Sequence, residues 1–163
     1  AVAPYRLNRF LAFLHPERDP QGIAYHTWQA LIAVGSGGIL GLGFGRSRQK
    51  FAYLPEVTGD SIFAIMAEEM GFILVVAFIA IFVWFMYRGM RITQAAPDRF
   101  SRLLSVGFLA WLSVQFFTNI AAMLSLMPIT GIPLPFVSAG GSALIAACTA
   151  VGIMTNISRS TPH

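Results

Sequence analysis

The chain has 163 residues, 56% of them hydrophobic and 11% charged, with a formal net charge of +4. Soluble domains carry roughly 25% charged residues, so an ordinary soluble fold is excluded. The cations flank apolar runs instead of clustering on one face, which excludes nucleic-acid binding, and the single Cys148 excludes an internal disulfide.

Residues 1–20 read as a short amphipathic segment at a membrane surface, with Arg6, Arg9 and Arg18 facing headgroups while Leu7, Phe10, Leu11, Phe13 and Leu14 dip inward. From Pro20 to Gly45 there is no Asp, Glu, Lys or Arg. A spanning helix needs about 20 mostly apolar residues, so a first span is expected over 22–42, glycine-rich toward its end (GSGGILGLGFG). A polar loop is expected over 44–60. The charge-free run from Met70 to Tyr87 predicts a second span over 61–87, long enough to require tilt. A basic connection follows over 88–102. The charge-free stretch from Leu103 to Ser158, broken by Pro128, Pro133 and Pro135, supplies a third span over 103–126 and a fourth over 143–157. The fold class expected is all-α integral membrane. The open apolar perimeter of four such helices predicts further helices around them, as in a longer protein.

Arginine placement orients the spans. With the amino-terminal segment, the 88–102 connection and Arg159 cytoplasmic, that side holds eight arginines, and the opposite side only Arg46, Arg48 and Lys50. These three break the trend. They lie within fifteen residues of two carboxylates, Glu56 and Asp60. Solvated loop charges would explain them; so would a site for an anionic, lipid-linked substrate, with arginine and lysine on phosphate oxygens and a carboxylate as general base. Asp60 is the better base because it sits where the loop re-enters the apolar phase, although it also suits the N-cap of the next helix. Glu68 and Glu69 are ionisable residues within a span, which usually face the bundle interior or a cavity. Glu68 falls about 80° around the helix from Asp60 and about two turns deeper, on the side of the same cavity or of a structural partner. Gln115 and Asn119 read as interhelical hydrogen bonds. The glycine pair of SAGGS either opens the backbone toward a ligand or starts the fourth helix. His15, His26 and His163 have no metal-ligand spacing and receive no role.

At these motifs the chain resembles the SEDS family of bacterial cell-wall proteins, which includes FtsW, RodA and SpoVE. The resemblance is carried by YRLNRFLAFLHPERDPQGIAYH, GSGGILGLGFGRSRQKFAYLPE, GDSIFAIMAEEMGF, APDRF and PITGIPLPFVSAGGS…TNISR, in family order along essentially the whole chain. The phrase GFGRSRQKFAYLPE and the YR opening are closer to the division branch, FtsW, than to the elongation branch. Members have about ten spanning helices, so the chain resembles the last four.

The resemblance implies a peptidoglycan glycosyltransferase that polymerises lipid II at the outer face of the cytoplasmic membrane, at the division septum. The family's essential aspartate maps onto Asp60, its loop lysine onto Lys50, its LPE glutamate onto Glu56 and its glutamate pair onto Glu68 and Glu69. Its PFISYGGS serine and glycines map onto Ser138, Gly140, Gly141 and Ser142. Substrate contacts are thereby expected at Arg46, Arg48, Lys50, Glu56, Glu68, Ser138, Gly140, Gly141 and Ser142, with a divalent cation as a possible helper at the pyrophosphate. The implied partners are lipid II, undecaprenyl-pyrophosphate-linked glycan, membrane lipid, a class B penicillin-binding protein and other division proteins. Two departures stand out: Thr58-Gly59 replaces the His-Thr that precedes the aspartate in many members, and Ala139 replaces the tyrosine of SYGGS. A lipid II flippase and a non-catalytic scaffold for the penicillin-binding protein are the rival readings.

Overall fold

The computed structural model describes Phe13, residues 23–47 and residues 59–160. Among the described residues there are four helices: α1 (Ile23–Ser36), α2 (Ile62–Ala95), α3 (Arg99–Met123) and α4 (Gly141–Arg159). Three of them, α2, α3 and α4, are long and apolar enough to cross a membrane. The interfacial segment expected over 1–20 lies outside the described residues except for Phe13.

The ends of the long helices follow from local chemistry. α2 runs eight residues beyond the expected 87, carrying Arg88 and Arg91 in its last turns. It stops where Ala96 turns extended (ψ 135°) before Pro97, because proline disfavours helical backbone in the residue ahead of it. The expected 88–102 connection therefore shrinks to three residues. Asp98 then caps α3, its carboxylate accepting from the Ser101 N–H and the Ser101 hydroxyl at 2.7 Å each. The backbone bond from Ser101, joined by that from its side chain, holds the Asp98 carboxyl below its ordinary range. At the other end α3 closes on Ser125, whose φ of 56° is left-handed.

The three long helices pack through aromatic and small residues. Phe82 of α2 stacks on Phe116 of α3 with ring centroids 3.6 Å apart and planes 3° from parallel. A Cβ on Gly89 would stand 2.5 Å from Leu109 of α3 and 3.1 Å from Met154 of α4, so the missing side chain lets all three helices converge there. Because Gly89 meets Met154, the arginines around the α2–α3 connection and Arg159 gather at one end of the bundle. Gly59, Asp60 and the 124–140 segment gather at the other, joined by the bonds Asn119 Nδ2 to Asp60 O and Ser138 Oγ to Gly59 O.

The segment expected to form the first span does something different. Its helix, α1, has 14 residues, about 21 Å at 1.5 Å per residue, short of a hydrocarbon core about 30 Å thick. Beyond Ser36 the backbone turns through Gly38, Gly41, Gly43 and Gly45, all with positive φ. Nor does α1 run antiparallel to α2. His26 touches Ser61, Gly37 lies against Ala67 and Gly41 against Glu69, so the two run side by side in the same direction. The start of α1 is thus level with Asp60, opposite to the end on which an outward-crossing first span would begin.

The reason lies at Gly71, where α2 is interrupted (φ 76°, ψ 177°). In unbroken helices Phe72 would donate to Glu68, Ile73 to Glu69, Leu42 to Gly38 and Gly43 to Ile39. The two chains exchange these acceptors. Phe72 N–H donates to Gly38 O (2.9 Å) and Ile73 N–H to Ile39 O (3.3 Å), while Leu42 N–H donates to Glu68 O and Gly43 N–H to Glu69 O (3.0 Å each). Four N–H groups and four carbonyls freed by the two breaks are thus satisfied across the junction, as an apolar phase favours. Hydrophobic length alone predicted a span; paired helix breaks produced a short helix lying along the first turns of α2.

Thr130 and Gln94 are exposed at opposite ends. With Cys148 replaced by Ala, a membrane-impermeant maleimide is expected to label Thr130→Cys but not Gln94→Cys in permeabilised-outer-membrane cells, because the arginine-rich end belongs inside. The reverse pattern would invert the orientation.

Candidate active site around Asp60

Asp60 is half-buried immediately ahead of α2. The helix-cap role is not what its side chain performs: Ser61 occupies the cap position, with no side-chain capping bond, and among the described residues nothing hydrogen-bonds the Asp60 carboxylate. The carboxylate faces Gly131, where a Cβ would stand 4.0 Å from Asp60 Oδ2.

The backbone around it is held from three directions. Ser138 Oγ donates to Gly59 O at 2.6 Å and accepts from Leu134 N–H at 2.7 Å. Asn119 Nδ2, from α3, donates to Asp60 O at 2.9 Å and to Ile132 O at 2.8 Å. His26 Nε2, from α1, lies 2.7 Å from Ser61 Oγ. One turn from Asn119, Gln115 Nε2 donates to Pro133 O at 2.9 Å. Prolines at 128, 133 and 135 have no N–H to offer a ladder, so the carbonyls of this segment need side-chain donors, and the two amides of α3 supply them. Three consecutive residues, 59 to 61, are therefore fixed by three different elements while the carboxylate between them is left unbonded among the described residues.

The remaining expected site residues fall into separate groups. Ser138 joins Asp60 through its bond to Gly59. Arg46 is exposed on the return from the helix exchange. Glu68 is 1% exposed and accepts a short hydrogen bond from Ser47, tying that return segment to α2. Glu69 is 7% exposed, and its Oε1 has no partner among the described residues. Gly140 occupies the cap position of α4, its carbonyl accepting from Leu144 N–H at 2.8 Å, and Gly141 and Ser142 are exposed in the first turn. The observed role of that glycine pair is to begin a helix. Arg48, Lys50 and Glu56 lie outside the described residues, as does Thr58. Asn119 and Gln115 prove to anchor a loop instead of a neighbouring helix. His26 carried no sequence signal beyond its place on the face of α1 that also holds Ala30, Ala33 and Gly37. Among the described residues no three His, Cys, Asp or Glu side chains converge as a cage for a divalent cation.

Comparison with known proteins places this geometry in a family. The chain is 45% identical over 157 residues to stage V sporulation protein E of Bacillus subtilis, covering 96% of this chain and 43% of the relative. It is 44% identical over 154 residues to the probable peptidoglycan glycosyltransferase FtsW of Trichlorobacter lovleyi, covering 94% and 40%. It thus spans about two fifths of the length of these curated relatives. Its fold matches a chain of a solved peptidoglycan synthase complex that coordinates polymerization and crosslinking, with a TM-score of 0.71 and 30% identity over 98% of this chain and 43% of that one. With the cell cycle protein family that groups FtsW, RodA and SpoVE matching residues 1–163 throughout, the chain belongs to that family of integral membrane proteins.

Proposed function

We propose that this chain carries the catalytic carboxylate of a peptidoglycan glycosyltransferase that polymerises lipid II in the bacterial cytoplasmic membrane at the septum, beside a class B penicillin-binding protein. The observation that carries the reading is Asp60: its backbone is fixed from α1, α3 and the 124–140 segment, and its carboxylate has no hydrogen-bond partner among the described residues. A purely structural aspartate at a helix start would cap it; this one is positioned without capping, its carboxylate unbonded among the described residues.

Asp60 accepts the proton of the acceptor sugar's 4-hydroxyl as that oxygen attacks the anomeric carbon of the donor. The bond to undecaprenyl pyrophosphate breaks in the same displacement, and Arg46, Arg48 and Lys50 meet the charge developing on the leaving group. One displacement at an α-linked donor gives a β-linkage, so no second carboxylate is needed as nucleophile. Ser138 and Asn119 touch no substrate atom in this scheme; they hold the backbone that aims the base.

The full-length protein, purified with its penicillin-binding partner and given lipid II, tests the reading: glycan polymer supports it, translocation in vesicles without polymer turns it into a transporter, and neither leaves a scaffold. Lys50→Ala and Arg48→Ala are each expected to slow polymerisation by about tenfold or more through weaker stabilisation of the pyrophosphate, with membrane insertion unchanged. Wild-type rates in both would move the anion site elsewhere.

A further inference from the structure

His26 and Ser61 meet beside Asp60 without either side chain entering the proton transfer. Ser61 is 0% exposed and stands at the cap position of α2, where a serine hydroxyl ordinarily accepts from its own helix. Here it makes no capping bond. The Ser61 carbonyl instead takes the Ala64 and Ile65 N–H groups at 3.1 and 3.4 Å, and the hydroxyl turns to His26 Nε2 at 2.7 Å. A buried hydroxyl must be hydrogen-bonded somewhere. Its bond to α1, in place of its own helix, fixes the distance between two elements at the residue next to Asp60.

The lever arm behind that bond is stiff. His26, Ala30, Ala33 and Gly37 recur at spacings of four, three and four, one face of a helix. Ala30 and Ala33 are fully buried in the same cluster as Phe63, Ala64 and Ala67 of α2. The lower end of α1 is locked by the exchanged backbone bonds at Gly38 and Ile39. With that end fixed, the His26–Ser61 bond is a polar tie at the upper end, and the two together set how α1 lies against the segment bearing Asp60. Asn119 and Ser138 hold the carbonyls of residues 59 and 60 from the opposite side.

We infer that His26 is a positioning residue for Asp60, acting through the Ser61 hydroxyl, an inference that rests on Asp60 being the general base. A base displaced by about 1 Å loses on the order of 100-fold in rate. In the full-length protein with its penicillin-binding partner, His26→Ala is expected to lower kcat for lipid II polymerisation by about 10- to 100-fold, with KM changed less than threefold. His26→Gln, which places an amide donor and acceptor within similar reach of Ser61, is expected to recover the rate to within about threefold of wild type. A structural filler role would instead be insensitive to that restored polar group. Ser61→Ala removes the same bond from the other side, so it should match His26→Ala, and the double variant should lose no more than either single one. In an Asp60→Asn background His26→Ala should have no further effect on the residual rate.

The outcomes separate the two readings. If Asp60→Asn polymerises at the wild-type rate, the general-base reading falls and this inference with it. If Asp60→Asn is inactive while His26→Ala or Ser61→Ala keeps the wild-type rate, the base stands and His26 has no positioning role. Losses that multiply in the His26→Ala/Ser61→Ala protein, or a His26→Gln protein no better than His26→Ala, also overturn it. Should His26→Ala fail to fold, Ser61→Ala, a smaller change at a buried site, carries the same test.

Discussion

Asp60→Asn is expected to lower lipid II polymerisation by roughly two to four orders of magnitude, the usual worth of general-base catalysis, with almost no change in thermal stability. Asparagine is nearly isosteric with aspartate but cannot take the proton of the attacking hydroxyl. The small stability effect follows from the geometry: the cap position of α2 belongs to Ser61, and the bond that Asn119 makes is to the Asp60 main-chain carbonyl, which the substitution retains. No hydrogen bond to the carboxylate is lost among the described residues. Polymerisation by the full-length protein with its penicillin-binding partner, measured beside a thermal melt, checks both halves. A well-folded variant that makes glycan at close to the wild-type rate would remove Asp60 from the chemistry and favour the transporter or the scaffold.

The largest effect on folding is expected at Gly71. Its φ of 76° and ψ of 177° fall in a region essentially reserved for glycine, and a Cβ there would stand 2.2 Å from the Gly41 nitrogen and 2.5 Å from the Leu40 carbonyl carbon. Both obstacles are backbone, so no side-chain rotation relieves them. Gly71→Ala must push the two breaks apart, weakening the four exchanged hydrogen bonds. Strain of about 1–3 kcal/mol, with about 1 kcal/mol for each of the four bonds when all are lost, amounts to roughly 5–7 kcal/mol. Gly35→Ala is the control. Gly35 lies in the last turn of α1 with nothing within 4 Å of an added Cβ, and alanine is favoured over glycine in a helix by up to about 0.5–1 kcal/mol, less near its end. In the full-length protein Gly71→Ala should therefore melt well below wild type or fail to assemble, while Gly35→Ala melts at or slightly above it. Equal melting temperatures for Gly71→Ala and wild type would refute the exchanged-helix junction.

Much of the molecule was legible one segment at a time. The charge-free runs around 61–87, 103–126 and 143–157 became α2, α3 and α4, because the length of an apolar run is a local property and a membrane reads it directly. Their boundaries moved where capping chemistry decided them: Pro97 and Asp98 let α2 and α3 approach within three residues, a compactness that the basic composition of 88–102 did not suggest. The same local logic singled out Asp60, a carboxylate at the edge of an apolar run beside three cations that break the positive-inside trend.

Residues 22–42 show where that logic ends. Their hydrophobic length matched a span, and the glycines at 37, 38, 41, 43 and 45 marked only that a break was permitted. Whether a helix breaks depends on whether its freed N–H and C=O groups find partners, and those partners sit about thirty residues away at Glu68, Glu69, Phe72 and Ile73. For the same reason His26, silent by spacing, meets Ser61, and Asn119 and Gln115 serve the carbonyls of a proline-rich loop instead of a neighbouring helix. Composition and pattern determined that the chain enters the membrane, which segments are apolar enough to cross it, and which carboxylate stands at the boundary. The tertiary structure alone decided how that carboxylate is held, because hydrogen-bond satisfaction in an apolar phase is settled between segments and leaves no periodic trace within any one of them.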